Sequence, residues 1–221
     1  MQHAGSSVHP RRQLHAFAHS IQEDPSGRFV LVADLGIDKL LVYRYDNANG
    51  TVVAHDPPGV NVTPCDGPRH LSFHPNARWA YLVAEMGSSV HVFDWDSVRG
   101  TLSPIERCST LPADFTGVST TSEICVHPNG RFLYVTNRGL DSVAIFRIDP
   151  RTGRLDLFDQ VPTRGSKPRN FEFSPDGAWL IVTNHDSDNA TVFALDQQTG
   201  RLTQVGAPVA MPFPYCPRFL R

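Results

Sequence analysis

Four ungapped copies of one block constrain this chain more than any other feature. The tetrads PSGR, PNAR, PNGR and PDGA carry Pro25, Pro75, Pro128 and Pro175, so the repeat runs at spacings of 50, 53 and 47 residues. Each tetrad is followed by a stretch of identical length that ends in Asp, from FVLVADLGIDKLLVYRYD to WLIVTNHDSDNATVFALD. Before each proline, apolar residues alternate with polar ones (Ile21 and Glu23, Leu71 and Phe73, Ile124 and Val126, Phe171 and Phe173). After it come β-branched and aromatic residues, the composition of strands. Proline fixes φ and glycine tolerates positive φ, so the tetrad reads as a tight turn. A second hairpin turn falls at LGID, MGSS, RGLD and HDSD, and DPRTGRL or DQQTGRL opens a fourth strand.

A repeat of about 50 residues with four strands and no segment of helical period predicts an all-β chain of β-propeller blades. A two-sheet sandwich competes poorly, because its strands do not recur as four-strand cassettes. The expected organisation is one propeller domain over residues 1–221, with repeats at about 14–66, 67–117, 118–165 and 166–213. Partial blades are expected at both ends, in HAGSSVHPRRQ and VAMPFPYCPRFL.

With 20 Lys and Arg against 22 Asp and Glu, the chain lacks the basic field that nucleic-acid binding uses, so charge recognition must be local. No apolar run approaches a membrane span, and the N-terminus lacks the apolar stretch of a signal peptide, so a cytoplasmic protein without membrane partners is expected. Cys65, Cys108, Cys125 and Cys216 have no metal-ligand rhythm and read as reduced thiols. His15 and His19, like His70 and His74, are four apart, which on a strand separates them by about 13 Å. No metal or other cofactor is therefore expected. G-x-S-x-G, H-E-x-x-H and P-loop motifs are absent. TRGSKPR, with Arg164, Lys167 and Arg169, could hold a phosphate, or could be a solvated basic loop between blades.

Chemistry is sought where the repeat varies. Residues far from the turn on both sides of a hairpin meet at its open end. Six residues before each proline stand His19, Arg69, Ser122 and Arg169, and five before it stand Ser20, His70, Glu123 and Asn170. Ten after it stand Leu35, Glu85, Arg138 and His185. The first column shares strand parity with the apolar residues that follow, yet is mostly polar, and such breaks tend to mark function. Ion pairs that fill a channel for structural reasons are the alternative.

The YVTN at Tyr134–Asn137, PRHLSFHPNARWAYLVAE, SEICVHPNGRFLYVTNRGLDSVAIF and KPRNFEFSPDGAWLIVTNHDSDNATVF together resemble the lactonase family of seven-bladed propellers. That family includes bacterial propeller-type 6-phosphogluconolactonases, enzymes of carbohydrate metabolism in the pentose phosphate pathway, and fungal carboxymuconate lactonizing enzymes. The resemblance implies catalytic roles for His19 (or His15 in its place), Arg69, Glu85 and Arg138, and the column residues His70, Glu123, Arg169 and His185 are the candidates for binding substrate. It implies hydrolysis of a small anionic lactone or sugar-acid substrate, most readily 6-phosphogluconolactone. Lactonization of a carboxymuconate, or a non-catalytic YVTN-type scaffold, are the alternatives. Seven blades of this period need roughly 330 residues, so the resemblance further implies absent N-terminal blades. With them come open blade faces through which the chain could self-associate, and a poorly anchored C-terminal segment.

Overall fold

The computed structural model describes residues 1–220, which form seventeen strands and, among the described residues, no helix. The chain divides into two compact units, Met1–Cys108 and the residues from Ser109 onward, and each holds two of the four repeats.

In the first unit, β1 (Ala18–Glu23), β2 (Phe29–Asp34), β3 (Lys39–Asp46) and β4 (Thr51–Asn61) form one antiparallel sheet in chain order. A second sheet repeats that order with β5 (Pro68–Phe73), β6 (Trp79–Ala84), β7 (Ser89–Asp96) and β8 (Thr101–Ser109). Strand alternation explains how they pack. Phe29, Leu31 and Ala33 of β2 face Leu71, Leu82, Phe93 and Trp95 of the neighbouring sheet in one core. On the opposite face of the first sheet Ile21 stays exposed, although its partner Val32 is buried.

The second unit is built alike. One sheet runs β9 (Thr120–Val126), β10 (Phe132–Arg138), β11 (Ser142–Ile148), β12 (Leu155–Pro162). The next runs β13 (Pro168–Phe173), β14 (Trp179–Asn184) and β15 (Asn189–Leu195), and its fourth strand is broken into β16 (Leu202–Gln204) and β17 (Val209–Ala210), both paired to β15. Phe132, Tyr134, Phe171, Phe173, Leu180 and Phe193 make its core. The glycine of TGRL has a packing reason as well as a positive φ: a Cβ on Gly200 would stand 2.5 Å from the Phe132 ring of the preceding sheet.

Both turn positions take the left-handed backbone the pattern implies. Gly27, Gly130 and Gly177 close the first turn at φ near 70°, and Ala77 is forced to φ 60° in the tetrad that lacks glycine. In the second turn Asp38, Asp141 and Asp188 adopt positive φ and serve as latches for the chain that leaves each sheet. Asp38 accepts hydrogen bonds from the backbone N–H of Cys65 and Gly67, Asp141 from Lys167, and Asp188 from Phe213, at 2.8–2.9 Å.

Two expectations are corrected. Parity does not run unbroken through the first strand of each sheet, because β1, β5 and β13 carry a β-bulge between Ala18 and Ser20, Pro68 and His70, and Pro168 and Asn170, and β9 has its register shift opposite Val135 to Asn137. His19, Arg69 and Arg169 are the extra residues. The C-terminal segment is not poorly anchored either. Met211 N–H donates to the Asp188 carbonyl at 2.8 Å, Phe219 N–H donates to Glu172 at 2.9 Å, and Arg218 lies 3.6 Å from the same carboxylate.

Candidate functional site

A bulge re-aims one side chain out of the regular alternation, which is why bulges gather beside active sites. In β5 it turns Arg69 inward until only 3% of the residue is exposed. Across the open end of the hairpin, Glu85 N–H donates to the Gly67 carbonyl at 2.7 Å, so Glu85 stands opposite the bulge. The two meet: Arg69 Nε donates to Glu85 Oε2 at 3.0 Å.

Around this pair the first unit gathers three more polar side chains. Arg12 Nη2 donates to Glu85 Oε1 at 2.7 Å. His19, the bulged residue of β1, brings Nε2 to 4.0 Å from Glu85 Oε2. The Arg69 Nη1 atom lies 3.2 Å from His70 Nε2, and the His70 ring meets His19 edge to face at 5.1 Å. Ser20 donates through its hydroxyl to the Arg69 carbonyl, tying the two bulged strands together. His15 is exposed on the N-terminal segment, with its carbonyl against Gly36, so the imidazole that faces Glu85 is His19.

Arg12 lies outside the repeat and gave no periodic signal. Its position follows from Gln13, which is fully buried: Nε2 donates to the Leu35 carbonyl at 2.8 Å, and Oε1 accepts from His9 N–H. That anchor pins the N-terminal segment where Arg12 reaches Glu85.

In the second unit, Arg138, Arg169 and His185 line a cleft of about 460 Å³ with Lys167, Asp141 and Asp186. Arg138 Nη2 donates to the Thr121 carbonyl at 2.6 Å. Lys167 Nζ stands 2.5 Å and His185 Nδ1 2.7 Å from the two oxygens of Asp186. Hydrogen bonds from Lys167, then His185, hold the Asp186 carboxyl below its ordinary range. The Arg169 guanidinium lies 4.6 Å over the Tyr215 ring of the C-terminal segment, and the same ring meets His185 edge-on at 4.9 Å. Glu123 is not among the cleft walls; its carboxylate accepts from Asn170 Nδ2 and from the Ile124 N–H.

The eight residues singled out from the sequence thus separate by unit. His19, Arg69, His70 and Glu85 form one cluster, Arg138, Arg169 and His185 share one cleft, and Glu123 is occupied at its own bulge. A further buried group, Asp66 with His91 (2.6 Å) and Arg107 (2.7 Å), ties β7 and β8 to the linker before β5. Among the described residues no three His, Cys, Asp or Glu side chains gather to hold a metal ion, and no helix is long and apolar enough to cross a membrane.

A family model described as a lactonase, 7-bladed β-propeller, matches residues 1–219. The chain is 35% identical over 218 residues to a 6-phosphogluconolactonase of Bacillus subtilis, covering 99% of itself and 61% of that protein. Among solved structures, a Lactobacillus plantarum protein superposes over the whole chain and 63% of its own length, with TM-score 0.94 and 33% identity. The periplasmic gluconolactonase of Pseudomonas aeruginosa does so over 96% of the chain and 60% of its own, with TM-score 0.88 and 36% identity. The chain therefore spans about three-fifths of the length of these three relatives.

Proposed function

The chain belongs to the lactonase family of seven-bladed β-propellers, and from that premise we propose that it serves the hydrolysis of a sugar-acid lactone, with 6-phosphogluconolactone as the substrate. The arrangement that supports this reading most is a buried carboxylate, Glu85, that orients an arginine and lies beside an imidazole. Both Glu85 oxygens are engaged by guanidinium groups, Oε1 by Arg12 and Oε2 by Arg69, which suits the carboxylate to positioning. His19 then takes the role of general base.

In this scheme water adds its oxygen to the lactone carbonyl carbon and gives a proton to His19. Arg69, held by Glu85 through Nε, stabilises the tetrahedral oxyanion. Collapse breaks the ring C–O bond, and the departing alkoxide takes the proton back from His19, leaving a hydroxy acid. His70 Nε2 lies 3.2 Å from Arg69 Nη1 and limits the rotation of that guanidinium. A cytoplasmic setting goes with a phosphorylated substrate.

The test is hydrolysis of freshly prepared 6-phosphogluconolactone, followed by coupled oxidation of the product, on the full-length protein that contains this chain. We expect R69A and H19N to lower kcat by about 10²–10³ and 10²–10⁴ respectively. Full activity in both variants would overturn the assignment.

A further inference from the structure

The two bulged arginines sit in equivalent slots and meet opposite surroundings. At Arg69 the residue across the hairpin opening is Glu85, which neutralises the guanidinium at 3.0 Å. At Arg169 the equivalent residue is His185, whose backbone N–H donates to the Lys167 carbonyl at 3.1 Å as Glu85 does to Gly67. The nearby carboxylate, Asp186, is already taken by Lys167 and by His185 itself. The other acid of the cleft, Asp141, accepts from the backbone N–H of Gly139 and Lys167. Among the described residues Arg169 has no hydrogen bond or ion pair; its one polar contact is the face of its guanidinium over Tyr215.

Stacking uses the face of a guanidinium and leaves its five N–H donors, which lie in the plane, to other partners. The donors of Arg169 therefore need acceptors that the described residues do not supply. They sit in a half-buried cleft whose other cationic groups are Arg138 and Lys167. Arg138, Lys167 and Arg169 put three cationic groups on walls whose carboxylates are Asp141 and Asp186.

We propose that this cleft is an oxyanion-binding site for a small phosphate or carboxylate compound, with Arg169 as its principal ligand and Tyr215 holding that guanidinium in place. The observations come from the second unit alone, and the choice of a sugar-acid probe rests on the proposed hydrolytic reading. Tyr215 makes the C-terminal segment a working part of the site: stacking restricts Arg169 to a fan of orientations, so fewer rotamers are lost when the anion binds. The column across the hairpin opening varies from Glu85 through Arg138 to His185, and where histidine stands in place of the acid the bulged arginine faces no carboxylate at that slot.

Isothermal titration of the full-length protein with inorganic phosphate, 6-phosphogluconate and gluconate at low ionic strength tests it. We expect binding of at least one of these probes, weakened tenfold or more in R169A and several-fold in Y215A, with R169K in between because a lysine cannot offer the planar fork. R201A, which removes an exposed arginine paired to Asp159 elsewhere in the unit, is expected to bind as the parent does. Phosphate binding with no response to gluconate assigns the site to phosphate; the reverse assigns it to carboxylate. Absence of binding by every probe, an R169A variant that binds as well as the parent, or an equal loss in R201A would each overturn the proposal. Circular dichroism of R169A and R169K checks that both are folded.

Discussion

Single side chains in this protein are placed by what they neutralise. Asp66 is nearly inaccessible, and burial by itself would raise its pKa. Hydrogen bonds from Arg107 and His91 outweigh that and bring it down to about 2 from an ordinary 3.8. A carboxyl whose folded pKa is depressed adds stability that is complete above its unfolded pKa and disappears as pH falls through the folded one. Asp66 should therefore contribute fully above about pH 4 and progressively less down to about pH 2. Arg107 is two-fifths exposed, and solvent screening reduces the contribution to roughly 1–2 kcal/mol. Urea denaturation of the parent and D66N at pH 7 and pH 2.5 measures this: the gap between them should narrow sharply at the lower pH, and an unchanged gap would remove Asp66 from the account. At the same scale the sequence was legible where residues recur and silent where they do not. Arg69, Glu85 and His19 stand in columns that spacing alone exposes, and those columns do meet at hairpin openings. Arg12 and Tyr215 lie in the terminal segments, where no repeat offers a register, and their contacts depend on Gln13 and Asp188 anchoring those segments.

At the level of elements, the tetrads and the alternation after them foretell sixteen of the seventeen strands' worth of pattern in four cassettes, but two devices stayed hidden in the text. The first is the bulge. Nothing in HAFAHSI or GPRHLSF marks an extra residue, because an inserted position is defined by the partner strand, and it overturns the parity on which the polar column was read. The second is the aspartate latch. LGID, RGLD and HDSD read as turns, which they are, yet their last residue also holds the chain leaving the sheet. Asp141 accepts from Gly139 N–H and Lys167 N–H and occupies φ 51°, a conformation that costs alanine more than asparagine. D141A should cost about 2–3 kcal/mol, from a lost cap and backbone strain together, and D141N about half as much or less. Hydrogen exchange gives the sharper readout, with protection at Lys167 lost in D141A and largely kept in D141N. Equal stability of D141A and the parent would show that the latch holds nothing.

For the whole molecule, the question is what the outer face of the first sheet meets. Ile21 is 63% exposed and Val52 38% exposed, and with Val32 and Tyr43 they line one groove beneath the N-terminal segment, while Leu14 and Phe17 of that segment are themselves more than half exposed. The His3 ring bridges Asp34 (2.5 Å) and the Tyr43 hydroxyl (2.7 Å), which closes one end of the groove and leaves the Ile21 end open. Contiguous apolar surface of this kind, beside the edge strand β1, drives association. We propose that isolated copies of these 221 residues associate through this face. Sedimentation velocity across a concentration series should show reversible growth of larger species. A variant with Ile21→Thr and Val52→Thr should shift the distribution toward monomer with little loss of stability, since threonine keeps the β-branched shape that strands favour and neither residue is buried in the core. Salt separates this from charge-driven contact: apolar association persists or strengthens at high ionic strength, whereas ion pairing weakens. A parent chain that stays monomeric at about 100 μM would show that the exposed isoleucine and valine are tolerated as they stand, and that the N-terminal segment covers the sheet well enough by itself.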